Sequence, residues 1–216
     1  IKTITVTGPA THTGILNLWI GGQRIRVNIA SGTAATAIAT AINAAVNAAL
    51  DLPVTSAVAG AVVTLTARHK GECGNAIDVR ANYYADEVVP GGVGIAVAAG
   101  TAGTGNPDVA TAIAAIGGDQ FYTIVSPWTD SANLTALKAE MDARWGPMSQ
   151  RTGHVFAGLV GSQSALAAIG ATHNSPHLTF VGVNGSPTSP WVRASVIAAV
   201  CEASGAIDPA RPFQTL

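Results

Sequence analysis

The chain has 216 residues, of which 48% are hydrophobic and only 11% charged, and its formal net charge at pH 7 is −1. Because no run of like charges occurs, the sequence excludes an electrostatic surface for nucleic acid or an anionic membrane, and no apolar run approaches the ~20 residues that cross a bilayer. Cys73 and Cys201 lie far apart and form no CxxC pair, so neither a metal knuckle nor a disulfide is predicted.

The first half of the chain alternates apolar and polar residues with the period of a β-strand. We expect a strand at 1–8 and a hairpin at 14–29, in which two strands meet at Gly21 and Gly22. In the second strand of that hairpin every other residue is apolar, so one face should be buried and the other exposed.

A helix is predicted next, at 31–50, with Ser31 or Thr33 placed to cap it. Its apolar stripe recurs every four residues, at Ile38, Ile42, Val46 and Leu50. Two further strands are expected at 53–59 and 61–69. This order of elements predicts a small α+β domain in which a helix covers one face of a mostly antiparallel sheet.

The second half alternates strands and helices. We expect strands at 94–100, 121–128, 153–161 and 177–183, and helices at 106–117, 130–146, 161–171 and 189–205. In the first of these helices Asn106 is placed as the N-cap, and Pro107 at the first position. The second helix has an apolar stripe formed by Leu134, Leu137, Met141 and Trp145. Apolar strands that alternate with helices predict a parallel sheet between two helical layers.

The predicted fold class is therefore α+β followed by α/β. A small domain with a mostly antiparallel sheet and a helix is expected at 1–87. A three-layer domain of βα repeats with a mainly parallel sheet is expected at 88–216.

Charge is concentrated in one segment, 68–87, which falls between the two patterns. Its formal charges are Arg68, Lys70, Glu72, Asp78, Arg80, Asp86 and Glu87. Such a cluster would suit a catalytic centre, a ligand cradle or a structural junction, and we interpret it as a junction. Asp78 and Arg80 are expected to pair with neighbouring elements, and Tyr83 and Tyr84 to anchor the two domains.

The chemical motifs that were tested fail on spacing. The segment GTAGTG, 100–105, has neither the GxGxxG order of a dinucleotide loop nor the lysine of a Walker loop. The segment GSQS, 161–164, lacks the closing glycine of a nucleophile elbow. Further candidates are scattered through the second half: His154, His173, His177, Trp128, Trp145 and Trp191. We predict loop anchoring for the tryptophans, and no catalytic, cofactor-binding or metal-binding residue and no cofactor.

The low charge bears on solubility, because soluble monomers typically have ~25–35% charged residues at their surface. Either neighbouring molecules cover much of this surface, or neutral Thr and Asn side chains keep it soluble. The sequence starts at Ile1 with the alternation of a strand, and its last residues, 208–216, suggest an extended connection. We therefore expect it to be a piece of a longer protein.

Several long blocks carry a resemblance to a known family. In chain order they are 71–84, 120–148, 153–162, 174–183, 186–191 and 208–216, with sequences that include GECGNAIDVRANYY, QFYTIVSPWTDSANLTALKAEMDARWGPM and DPARPFQTL. These blocks resemble the contractile tail sheath proteins of Mu-like bacteriophages and related prophages, over nearly all of 60–216 and more loosely over the first domain. Sheath subunits are substantially longer, so the chain resembles a fragment of one.

The resemblance implies a structural protein of the phage tail, present in the virion and, during assembly, in the host cytoplasm. It implies subunits that stack as hexameric rings around a tail tube, contract to drive that tube through the host envelope, and meet a baseplate and a tail terminator. No catalytic residue, nucleic acid or membrane is implied. Glu140, Asp142 and Arg151 are candidates for setting the register between neighbouring subunits. Because the chain termini make most contacts in this family, this fragment is expected to be monomeric or weakly associating.

Two other functions stay open from the residues themselves. One is a carbohydrate- or peptide-binding surface domain that uses an exposed tryptophan such as Trp128. The other is a hydrolase whose nucleophile, base and acid come together from distant positions.

Overall fold

The computed structural model describes residues 1–208, so 209–216 of the predicted extended connection lie outside the described residues. Within it the chain forms two compact units. The first consists of 1–105 together with 187–189, and the second of 106–186 and the residues from 190 onward.

The first unit is built from two antiparallel sheets and a helix. Its elements are β1 (Lys2–Thr7), β2 (Gly14–Ile20), β3 (Gln23–Ile29), α1 (Ala35–Ala48), β4 (Val54–Ala59), β5 (Val62–Ala67), a 3-10 helix (Glu72–Ala76), β6 (Val79–Ala81) and β7 (Gly94–Ala99). One sheet has the strand order β4-β5-β1-β7 and the other β3-β2-β6. The predicted α+β class is confirmed, although the strands form two sheets.

The predicted hairpin is confirmed. Strands β2 and β3 pair with Ile20 opposite Gln23, and the turn residues Gly21 and Gly22 have φ values of +59° and +86°. Positive φ at both central residues is what a tight hairpin turn requires, and glycine adopts it without steric penalty. The alternation is also confirmed, because Val27 and its apolar neighbours are buried and the arginines between them are exposed.

Two details of the α1 prediction are wrong. The helix ends at Ala48, so Leu50 lies beyond it and is 78% exposed, and Leu52 is the buried leucine instead. The N-cap residue is Ala34, which makes no side-chain cap. The hydroxyl of Thr33 donates backward to the carbonyl of Ala30 and is therefore not directed at the helix.

Strand β7 was expected in the parallel sheet, and this is wrong. It pairs antiparallel with β1 along its whole length, from Lys2 opposite Ala99 to Thr7 opposite Gly94. An uncharged strand of Gly, Ala, Ile and Val fits either kind of sheet, because its sequence does not mark one face for solvent. Strand β7 pairs with the edge of β1 that β5 does not occupy, so the presence of β1 determines its sheet.

The second unit is a parallel sheet between helices, as predicted. Its elements are α2 (Ala110–Ile116), β8 (Thr123–Ser126), α3 (Ser131–Trp145), β9 (His154–Val160), α4 (Gln163–Thr172), β10 (Leu178–Val183) and α5 (Pro190–Ile207). The three strands are parallel in the order β10-β9-β8. Its central strand, β9, is therefore covered on both edges.

Successive residues of β9 point to opposite faces and build two separate cores. Val155 and Ala157 pack in a cluster with Leu134, Leu137 and other residues of the α2, α3 and α4 layer. Phe156 packs on the other side of the sheet, in a cluster with three α5 residues: Ala194, Ala198 and Cys201. The three predicted layers are thus helices, sheet and helix.

The predicted cap of α2 is wrong, because its N-terminal residues are used by α3. The amide of Asn106 donates to the Asp130 carboxylate at 2.6 Å, and Asp130 caps α3 by accepting from the Asn133 backbone. Burial alone would raise the pKa of Asp130, but hydrogen bonds from Asn133 and Asn106 outweigh it and lower that pKa. The backbone N–H of Val109, the N-cap residue of α2, donates to the Asn133 side chain at 2.8 Å.

Candidate functional site

The charged segment 68–87 folds as part of the first unit. Asp78 and Arg80, on either side of Val79, pair with each other at 2.5 Å, which is a contact within one element. The Arg68 side chain donates to the carbonyl of Leu52 at 2.9 Å. The Arg68 contact holds the chain where it leaves β5, and the Asp78–Arg80 pair lies at the start of β6, both within the first unit.

The tyrosine pair of this segment contacts the β2–β3 hairpin. The ring of Trp19 lies 6.1 Å from that of Tyr83 and 5.1 Å from that of Tyr84. The guanidinium of Arg24 lies 5.7 Å from the Trp19 ring, and that of Arg80 lies 5.1 Å from the Tyr83 ring. Trp19 and Arg24 face each other across the hairpin. The hairpin register predicted from Gly21-Gly22 therefore already places Trp19 opposite Arg24. The sequence did not show that Tyr83 and Tyr84 would contact this pair.

Glu87 closes this aromatic cluster. Its carboxylate accepts from the Trp19 indole at 2.8 Å and lies 3.8 Å from the Arg24 guanidinium, and its side chain is only 5% exposed. Burial alone would raise the pKa of Glu87, but the hydrogen bonds from Trp19 and from the Tyr84 and Tyr83 backbone hold it below its usual value. Through Oε2 the Glu87 carboxylate thus joins the Trp19 indole to the Tyr84 backbone, as expected of a structural cluster.

The glycine-rich loop 100–105 is tied to the first unit by paired hydrogen bonds. The backbone N–H of Gly103 donates to the Asn75 side chain at 2.7 Å, and the Asn75 amide donates back to the Gly103 carbonyl at 3.0 Å. Beside the loop lies a cavity of about 400 Å³ lined in part by His69 and Lys70. The N–H that a phosphate-binding loop would offer at Gly103 is therefore engaged internally.

The second-half histidines do not assemble a triad. The His154 ring nitrogen lies 2.7 Å from the Thr179 hydroxyl, whereas the Asp142 carboxylate lies 3.6 Å from His177. The hydroxyl and the carboxylate thus contact different histidines. The third histidine, His173, is buried at the end of α4. The first serine of GSQS, Ser162, is the N-cap of α4. Within residues 1–208 these contacts give no continuous nucleophile, base and acid.

His154 predicts a pH-dependent stability. Burial, and secondarily the nearby His177, lower its pKa in the folded chain. As the pH falls below about 6.5, the His154 side chain therefore binds a proton more readily in the unfolded state than in the folded state. The free energy of unfolding is thus highest above about pH 6.5 and falls as the pH drops through the folded pKa. We expect His154→Gln, which keeps a polar group near Thr179, to reduce this fall between neutral and mildly acidic pH.

Urea unfolding at a series of pH values measures that difference. His12→Gln, the same substitution at an exposed histidine of the first unit, is the matched control. An identical pH profile for the wild type and His154→Gln would contradict the assignment.

The tryptophans and the surface charges of the second half make contacts inside this unit. Trp128 packs against the core of the α2, α3 and α4 layer, as the anchoring interpretation expects. The Trp145 indole donates to the Gly153 carbonyl at 2.9 Å, although its ring was expected in the core and is 48% exposed. Glu140 pairs with Arg144 at 2.7 Å, and Arg151 donates to Ser149.

Residues 1–208 contain no group of three or more His, Cys, Asp or Glu side chains placed to hold a metal ion. Among the helices of the same residues, none combines the length and the apolar character that a membrane span requires.

The most unusual surface of the second unit is the outer side of α5. One side of this helix, with Ala194 and Ala198, packs on the sheet. The opposite side is also apolar, and Val192, Val196 and Val200 on it are 41%, 56% and 43% exposed. The sequence showed that the helix is apolar, but nothing in the pattern indicated that two of its sides would be. A surface helix normally turns charged or polar residues to solvent, so this side is a candidate contact surface.

Two known protein families match the chain, and both are domains of the same kind of protein. Residues 1–102 match a family described as the phage tail sheath protein beta-sandwich domain, and residues 102–216 match the phage tail sheath protein central domain. Together the two matches span the chain.

A curated protein, the Mu-like prophage FluMu tail sheath protein of Haemophilus influenzae, is 36% identical over 213 residues. The aligned region covers 99% of this chain and 44% of the relative. The chain thus spans less than half the length of the relative it matches.

Proposed function

The chain belongs to the phage tail sheath family, and on that premise we propose that it is part of a structural subunit of a contractile tail. In this proposal the complete subunits polymerise as rings around the tail tube. Contraction of the resulting sheath drives the tube through the host envelope. The observation that carries the proposal is that two tail sheath domain families together match the whole chain.

The contacts of the polar residues support a structural role. Polar residues of both units are used in helix caps and hairpin contacts: Ser162 caps α4, Asp130 caps α3, and Glu87 joins the Trp19 cluster. A protein whose polar groups hold shape in this way suits rigid-body movement, because contraction requires stiff bodies that change their mutual contacts. We therefore propose that this protein is not an enzyme.

The proposed partners follow from the sheath role. They are other sheath subunits in hexameric rings, the tail tube, the baseplate and the tail terminator, in the virion and, during assembly, in the host cytoplasm. The isolated chain should be monomeric or weakly associating. We also propose that 1–87 forms an outer domain and 88–216 the sheath core, although the pairing of β7 with β1 places 94–99 in the first compact unit.

Electron microscopy of the full-length gene product tests the proposal. We expect striated tubes or polysheaths, because the complete subunit would supply the contacts that this chain lacks. Sedimentation of the 216-residue chain alone should give a monomer or a weak, concentration-dependent association. A full-length product that stays monomeric under all assembly conditions would contradict the role. A stable ring formed by the isolated chain at micromolar concentration would contradict only the expected need for the remaining parts.

A further inference from the structure

The exposed side of α5 forms one continuous apolar stripe. We call it the α5 face and define it by six exposed residues: Val192, Val196, Ala199, Val200, Ala203 and Ile207. Their spacing of three, four or seven residues places them along one side of a helix with 3.6 residues per turn. The residues packed on the sheet, Ala194, Ala198 and Cys201, lie on the opposite side.

The six residues of the α5 face are uncharged, and Arg193 and Glu202 flank them on α5. The acidic side chain at its flank, Glu202, accepts a hydrogen bond from the Thr123 hydroxyl at 2.5 Å and is thereby directed toward β8. The exposed fractions of the larger side chains, up to 86% for Ile207, leave an apolar area on the order of a few hundred Å² in contact with water. Patches of that size mark contact surfaces on soluble proteins.

The shape of the face fits a packed neighbour. Alanine positions between the valines leave shallow grooves in which ridges of another element can lie. Covering the exposed side chains would remove apolar area from water and so favour the contact.

We propose that the α5 face packs against a second copy of the sheath subunit in the assembled sheath, an inference that rests on the proposed function. Two features favour a second copy. An uncharged face does not repel an identical chain, whose net charge is only −1. Its area is well below the ~800 Å² per partner of a stable complex, so the contact holds only where several contacts join the same subunits. A polymer of copies provides that condition.

Photocrosslinking in the full-length protein tests this contact. A benzoylphenylalanine is placed at Val196, and the variant is co-assembled with an excess of wild-type subunit. Irradiated tubes are expected to contain a crosslinked species of twice the subunit mass, with the link mapped between two copies. The matched control carries the same group at Ala167, an exposed position on α4 on the other side of the sheet. It should give far less of that species.

The outcomes separate this inference from the proposed function. Crosslinks within the same subunit, crosslinks to another protein, or none at all in well-formed tubes would overturn the α5 assignment and leave the sheath role intact. Wild-type protein that never forms tubes would instead remove the proposed function.

A second variant keeps the test decisive if the probe excludes the subunit from tubes. Val196→Asp places a charge on the α5 face at an exposed position, so its unfolding temperature should match that of Ala167→Asp. We expect it to abolish tube formation while Ala167→Asp assembles. Normal assembly of Val196→Asp would overturn the inference.

Discussion

Gly158→Ala is expected to destabilise the second unit by roughly 3 kcal/mol or more, because overpacking against an immobile backbone has no low-energy relief. Gly158 is buried in the centre of β9, and a Cβ there would lie 2.1 Å from the carbonyl oxygen of Pro190, at the start of α5. Pro190 is itself buried. Helix α5 and strand β9 would have to separate to admit a methyl group. Native-state hydrogen exchange of the β9 amides measures the loss.

Gly170→Ala is the matched control for this substitution. Gly170 lies inside α4, and a Cβ there would meet no atom within 4 Å. Alanine is favoured over glycine in a helix interior, so this variant should gain about 0.5–1 kcal/mol. Replacing glycine with alanine is thus expected to destabilise the second unit at position 158 and to stabilise it at position 170. Similar effects at both would contradict the close approach of β9 and α5.

Much of the fold was predictable because periodicity records which side of an element is buried. The β2–β3 hairpin followed from alternation around Gly21-Gly22, and the order of strands and helices in the second unit followed from its apolar runs. Short local signals also predict Gly146 as the end of α3, where it is the C-cap.

The errors arose where a distant partner decides the outcome. Asn106 has the side chain of an N-cap, but Asp130 offers it a charged acceptor 24 residues later. Strand β7 has no polar face, so only the presence of β1 determines its sheet. Local propensity could not resolve either case, because the competing interaction is far away in the sequence.

The candidate sites were predictable to a different extent. Motif spacing argued against a phosphate loop at 100–105, and in the structure the Gly103 N–H donates to the Asn75 side chain. The contact of Tyr83 and Tyr84 with Trp19 was not foreseen, since aromatic residues in a junction do not specify their partner. The α5 face was also missed. An apolar helix shows its stripes in the sequence, but which stripe meets the sheet depends on packing.

Leu52→Ala is expected to lower the free energy of unfolding of the first unit by about 2–4 kcal/mol, whereas Leu50→Ala should change it by less than about 0.5 kcal/mol. The two leucines are separated by one residue in the chain, yet Leu52 is 1% exposed and Leu50 is 78% exposed.

The difference arises from where α1 ends. A continued helix would have placed Leu50 four residues after Val46 on the buried stripe, but the helix stops at Ala48 and the chain turns toward β4. Leu52 therefore enters the core, and its backbone carbonyl accepts from Arg68, at the start of the charged segment. Removing the Leu52 side chain leaves a cavity next to this junction, so hydrogen exchange should rise in α1 and β4 together. Equal losses for the two variants would contradict the difference in burial between Leu50 and Leu52 and with it the end of α1 at Ala48.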